Sequence, residues 1–117
     1  MINSVGSSLS ALAAFQKKID VTANNIANVL TDDFKKSRTT ITEGNPNGVD
    51  AVVGRVDTPG IPKTTIRNDT LTTVESSNVD LAEELPELML AKSAYRANLK
   101  TLKIQDDMMG SLLDIFS

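Results

Sequence analysis

The chain is 117 residues long, 40% hydrophobic but 3% aromatic, with twelve basic and fifteen acidic side chains and a formal net charge of −3. That length fits one small domain with an aliphatic core, which leaves long helices partly exposed in a monomer and makes association an expectation. The acidic balance argues against a general nucleic-acid binder, and the absence of His, Cys and Trp excludes disulfides and thiolate metal sites and removes the usual catalytic base and nucleophile.

The chain opens Met-Ile-Asn-Ser-Val-Gly-Ser-Ser, which lacks the basic and apolar regions of a secretory signal. No apolar run is long enough to span a membrane. A first helix is expected from Ser4–Ser8 to about Asn28, with the serines as caps. Val5, Leu12, Ile19 and Ile26 recur every seven residues, with Ser8, Phe15, Thr22 and Val29 in the companion heptad position. Such a repeat keeps one stripe facing a partner helix. Asn24, Asn25 and Asn28 are poor helix formers. They read either as caps and turn formers or as polar residues fixing the register of a subunit contact.

Residues 30–80 change character, with Thr- and Val-rich runs between turn signals. Thr39–Thr42, Val49–Asp57, Lys63–Arg67 and Thr70–Val74 are strand candidates. Short strands need something to pack on, so a small hairpin module leaning on the helices, or a mobile insert, is expected. Lys35-Lys36-Ser37-Arg38 reads as a solvated loop.

A second helix is expected from Asp80, which with Glu83 has capping-box spacing, and acidic residues gather at its start. Its heptad stripe is Leu81, Leu88, Tyr95, Leu102, Met109 and Phe116, with Lys92, Arg96, Lys100 and Lys103 on an exposed side. Pro86 implies a start at Leu85 or a kinked first turn. Gly110 is a weak point. Unequal helix lengths imply an antiparallel pair whose overhanging end carries Met108, Met109, Leu112, Leu113, Ile115 and Phe116, a tip suited to another chain. The expected fold is mainly α, with paired N- and C-terminal helices forming a coiled-coil hairpin around a small β-rich or irregular insert. Its divisions are 1–30, 31–79 and 80–117.

Three stretches together resemble the bacterial flagellar basal-body rod and hook family, most closely its proximal rod proteins. They are Asp20-Val21-Thr22-Ala23-Asn24-Asn25-Ile26-Ala27-Asn28-Val29 with Thr31 and Phe34–Arg38, then Glu75–Glu84 containing Ser77-Asn78-Val79-Asp80, then Leu90–Asn98 with Leu112–Ile115. The resemblance covers about the first 38 and last 43 residues. It implies a structural subunit whose terminal helices pair and pack with those of itself and other rod and hook subunits in a periplasmic rod. It also implies export through the flagellar type III apparatus without a cleaved signal. The expected pairing and interface residues are Val5, Leu12, Phe15, Ile19, Asn24, Asn25, Ile26 and Asn28 on the first helix. On the second they are Leu81, Leu88, Tyr95, Asn98, Leu99, Leu102, Met109, Leu113 and Phe116. Leu30 and Asp33 depart from the family's usual Asn and Gly, and a positive φ would strain Asp33 less than most residues.

No cofactor, metal, nucleic acid or membrane insertion is expected. Glu83/Glu84 and Asp106/Asp107 are adjacent on a helix and point apart, so they read as solvated faces rather than catalytic pairs. A cytoplasmic helical adaptor or export-linked regulator of the same family is the alternative function. A carboxylate-dependent hydrolase is a remote third.

Overall fold

The computed structural model describes residues 2–116. Helix α1 spans Ile2–Ala27 and helix α2 spans Leu81–Phe116. Between them lie β1 (Ser37–Glu43), β2 (Val49–Arg55), β3 (Pro62–Arg67) and β4 (Thr70–Glu75). The mainly-α expectation is corrected by these strands. The chain is 53% helix and 23% strand, and it extends over 78 × 23 × 23 Å. Its β-branched runs close into two separate antiparallel hairpins, β1–β2 and β3–β4, because each pair of runs is joined by residues that favour a tight reversal.

The first hairpin pairs Ser37 with Arg55 through Glu43 with Val49 and leans on α1, as expected. The Val49 N–H donates to Ser10 Oγ at 3.1 Å. Gly48 has φ +116°, and a Cβ there would lie 2.5 Å from Ser10 Oγ. Glycine is thus required both by its backbone conformation and by the close approach of the loop to α1. The second hairpin turns through Asn68 and Asp69, with φ of 52° and 59°, as a two-residue loop of type I′ demands. Among the described residues, neither β3 nor β4 packs on a helix or on the other sheet. The β3–β4 ribbon is anchored at its base, where Val74 is buried and the Ser76 N–H donates to Ile61 O at 2.8 Å.

The helices pack antiparallel, with contacts between Ser8 and Gln105, Lys18 and Glu87, and Asn25 and Glu84. The seam is built from small side chains: Ser8, Ala11, Thr22 and Ala91 are buried. Small residues let the backbones approach, and they leave the larger Val5, Leu12, Phe15, Ile19 and Ile26 only half-buried at the border of the seam. Ala14 is covered from the β2 side, a second packing face of α1 that the heptad pattern does not encode.

Three local expectations are corrected. Helix α1 starts at Ile2, so Ser4, Ser7 and Ser8 lie inside it rather than capping it. Helix α2 starts at Leu81 and runs through Pro86. Ala82, whose carbonyl loses the donor that Pro86 cannot supply, is exposed to water. Asp80 caps α2 by accepting from the Ala82 N–H at 2.9 Å, but Glu83 does not close a capping box; its carboxylate binds Lys36 and Arg38.

Candidate functional site

Where α1 ends, the chain meets the start of β1 and the start of α2, and asparagines hold the junction. Asn25 is 1% exposed. Its amide brackets Ser37: Nδ2 donates to Ser37 O at 2.7 Å and Oδ1 accepts from the Ser37 N–H at 3.0 Å. Nδ2 also donates to Glu84 Oε2 at 3.2 Å. One side chain therefore ties α1, β1 and α2 together while satisfying buried backbone groups, which would be costly to leave unpaired. Asn24 and Asn28 face outward and serve locally. Asn28 Nδ2 donates to Asn24 O at 2.8 Å, and Thr31 Oγ1 donates to Asn28 Oδ1 at 3.0 Å. Asn24 and Asn28 thus bond locally at the end of α1, whereas Asn25 joins three elements of its own chain.

Asn78 is the counterpart that sequence reasoning left unassigned. Its Oδ1 accepts from the Lys36 N–H at 2.7 Å, and its Nδ2 donates to Val56 O at 2.8 Å and Thr58 O at 3.0 Å. The signal was present in the Ser-Asn-Val-Asp segment, but an isolated Asn before a cap residue reads as an ordinary turn former. Asp33 occupies φ 60°. Its N–H donates to Glu75 O at 2.8 Å and its Oδ1 accepts from the Glu75 N–H at 3.2 Å. Its short carboxylate thus offsets the strain of the left-handed conformation with a hydrogen bond that glycine could not make.

Charges close the junction. Lys36 is buried and pairs with Glu83 at 3.1 Å; Lys35 pairs with Glu75 at 2.6 Å. The solvated-loop reading of residues 35–38 is thereby overturned, as is the solvated face for Glu83/Glu84, since Glu84 is 5% exposed. Both overturned readings treated the segments one at a time: Lys35 and Lys36 meet the carboxylates of Glu75 and Glu83 more than thirty-five positions away, and Glu84 meets the neutral amide of Asn25. Hydrogen bonding from Lys35, then its charge, holds the Glu75 carboxyl below the usual glutamate range, helped by the backbone of Gly60. Lys36 does the same for Glu83, with Arg38 adding to it.

The opposite end of the molecule is apolar and bare. The six residues of α1 before Ser8 match about the next six of α2 beyond Gln105, so the final stretch, Leu112–Phe116, projects past α1. The expected overhang is therefore shorter than its apolar run: Met109 lies beside Val5. Exposure persists throughout, from Met109 at 39% to Phe116 at 85%. Of the other expected residues, Leu88, Tyr95, Asn98 and Leu102 are half-buried, whereas Leu81 and Leu99 are exposed. Asn98 Nδ2 donates to Ala94 O at 2.9 Å within its own helix. Among the described residues, no group of three or more carboxylates could hold a metal ion, and no helix is long and apolar enough to cross a membrane.

The helix pair is thus locked by asparagines at one end and leaves an open apolar stripe at the other. The family described as flagella basal body rod protein matches residues 7–35, and that described as flagellar basal body rod FlgEFG protein C-terminal matches residues 72–115. The chain is 55% identical over 40 residues to the flagellar basal-body rod protein FlgG of Bacillus subtilis, covering 34% of this chain and 15% of that protein. It is 40% identical over 42 residues to the flagellar hook protein FlgE of Escherichia coli, covering 36% of this chain and 10% of that one. The hook protein FlgE of Salmonella typhimurium is 38% identical over 42 residues. The chain belongs to the flagellar basal-body rod and hook family. The matched segments are a small part of the relatives' own lengths.

Proposed function

We propose that this protein is a structural subunit of the bacterial flagellar basal-body rod, supporting motility and assembling through its terminal helices without catalysis. The observation that carries the reading is the exposed apolar run at the end of α2, within a segment matched by the rod family and continuous with a half-open heptad stripe. A packed helix pair that stops short of covering such a run has a contact still to make. Its partners are copies of itself and other rod and hook subunits. It reaches the periplasmic rod through the flagellar type III export apparatus. Residues 1–30 and 80–117 contribute to the axial core, with 31–79 as the insert between them.

The interface comprises Val5, Leu12, Phe15, Ile19 and Ile26 of α1, with Leu81, Leu88, Tyr95, Leu99, Leu102, Met109, Leu113 and Phe116 of α2. Asn24, Asn25, Asn28 and Asn98 shape those helices rather than supplying apolar area. A mass-spectrometric inventory of purified basal bodies tests the reading. The protein is expected among the rod components, and recovery in the cytosol alone would favour the adaptor role instead.

A further inference from the structure

The loop that closes the β1–β2 hairpin holds the sole asparagine of the chain that is followed by glycine, Asn47–Gly48. Asn47 is exposed. Among the described residues, neither its side-chain amide nor the Gly48 N–H has a hydrogen-bond partner, and Gly48 has no Cβ to shield its nitrogen. Other asparagines are held or blocked. Asn25 and Asn78 have both amide atoms engaged, and Asn45 precedes Pro46, whose nitrogen carries no proton. The same loop is an anchor. Ser10 Oγ accepts from the Val49 N–H at 3.1 Å and donates to Ser7 O at 2.8 Å, and the Gly44 N–H donates to Gly48 O at 3.0 Å. The hairpin is therefore fastened to α1 at its tip by Ser10 and at its base by the Asn25–Ser37 clamp.

We propose that Asn47–Gly48 is a self-modifying site, at which deamidation to isoaspartate releases the tip of the β1–β2 hairpin from α1. The Gly48 nitrogen attacks Asn47 Cγ. A bond forms between them, the Gly48 nitrogen gives its proton to solvent, and the side-chain nitrogen takes a proton and leaves as ammonia. Water then opens the cyclic imide at one of its two carbonyls. Opening at Cγ gives aspartate; opening at the main-chain carbonyl gives isoaspartate, whose main chain runs through Cβ and Cγ. One water is gained and one ammonia lost, with no change of oxidation state. Aspartate adds a negative charge to a loop already flanked by Glu43 and Asp50 and leaves the path of the main chain unchanged. Isoaspartate also inserts a methylene immediately before Gly48. There the loop approaches α1 so closely that a Cβ on Gly48 would lie 2.5 Å from Ser10 Oγ. The added length cannot be absorbed on that side, so the Val49–Ser10 and Gly44–Gly48 bonds give way while the Asn25–Ser37 clamp holds. This release is independent of the assembly role proposed above.

The test incubates the folded full-length chain at physiological temperature, at neutral and mildly alkaline pH. Peptide mapping by mass spectrometry counts deamidation at each asparagine, and electron-transfer fragmentation separates isoaspartate from aspartate. Asn47 is expected to react at least about ten-fold faster than the exposed turn residue Asn68, a barrier difference of about 1.4 kcal/mol, because Asp69 sets a side chain beside the attacking nitrogen. The rate should rise with pH, since the Gly48 nitrogen must lose its proton, and Asn47→Gln should abolish the product. Hydrogen exchange reads the release. In the isoaspartyl fraction the Val49 and Gly44 amides should lose protection while the Ser37 amide keeps it. Freshly purified Asn47→Asp, which carries the charge without the methylene, should keep protection at all three. Deamidation confined to the urea-unfolded chain, an Asn47 rate no greater than that of Asn68, or unchanged Val49 protection in the isoaspartyl fraction overturns the proposal. Loss of Val49 protection in Asn47→Asp overturns it as well, because charge alone would then open the loop.

Discussion

The two ends of α2 are opposites. At its start, Glu83 and Glu84 are held by Lys36, Arg38 and Asn25, and a fully buried amide closes the site. At its finish, large apolar side chains stand in solvent. Stability therefore concentrates where side chains are polar, and unspent hydrophobic area concentrates where the chain is bare. This inverts the common arrangement, and it follows from a seam made of Ser, Ala and Thr: small residues bring the helices together without consuming the larger ones.

That contrast can be broken first at Asn25. Asn25→Ala strands the Ser37 backbone groups and Glu84 together, so it is expected to lower stability by about 2–4 kcal/mol in chemical denaturation. An effect under ~1 kcal/mol would mean that the junction is not a lock. Leu102→Asp places a charge in the half-buried stripe and is expected to lower stability by about 1–2 kcal/mol and to abolish motility. Gly110→Ala should raise the thermal midpoint, with a gain of about 0.5–1 kcal/mol, because glycine weakens a helix interior and the added methyl meets nothing within 4 Å.

Leu113→Asp sharpens the contrast most. In the isolated chain it should shift stability by less than about 0.5 kcal/mol, since the residue is 68% exposed, yet it should remove the protein from the rod and stop swimming. A normal rod built from this variant would show that the tip is not an assembly surface. The mildest effect is acid. Because the folded-state pKa values of Glu75 and Glu83 are lowered by their lysines, the stabilisation is fully present above the ordinary glutamate pKa and is lost as pH falls through the lowered values. The pairs are partly open to water, so the loss should be shallow and further reduced by salt. Lys36→Met should flatten the Glu83 part of that acid limb in an equilibrium pH titration.

The helices, their heptad stripe, the reversals between strands and the family motifs were legible in the sequence, because periodicity and turn chemistry are local properties. The overhanging apolar tip was legible too, though α1 reaches further along it than helix lengths measured from expected caps implied. Residues 35–38 and Glu83/Glu84 misled, because a charge read alone resembles a solvated one whenever its partner is distant in sequence. Asn78 escaped notice for the same reason: its three contacts are to Lys36, Val56 and Thr58, each more than fifteen positions away.

The sequence by itself determined that a long helix stands at each end of the chain and the block order of charge along α2. Those depend on spacing along one chain segment, which a helix converts directly into faces. Only the tertiary structure decided that four strands form two hairpins, that one covers α1 while the other stands clear, and that Asn25, Asn78 and Lys36 are structural keystones. Those depend on which distant segments approach one another, and burial, hydrogen-bond satisfaction and ion pairing are settled only when they do.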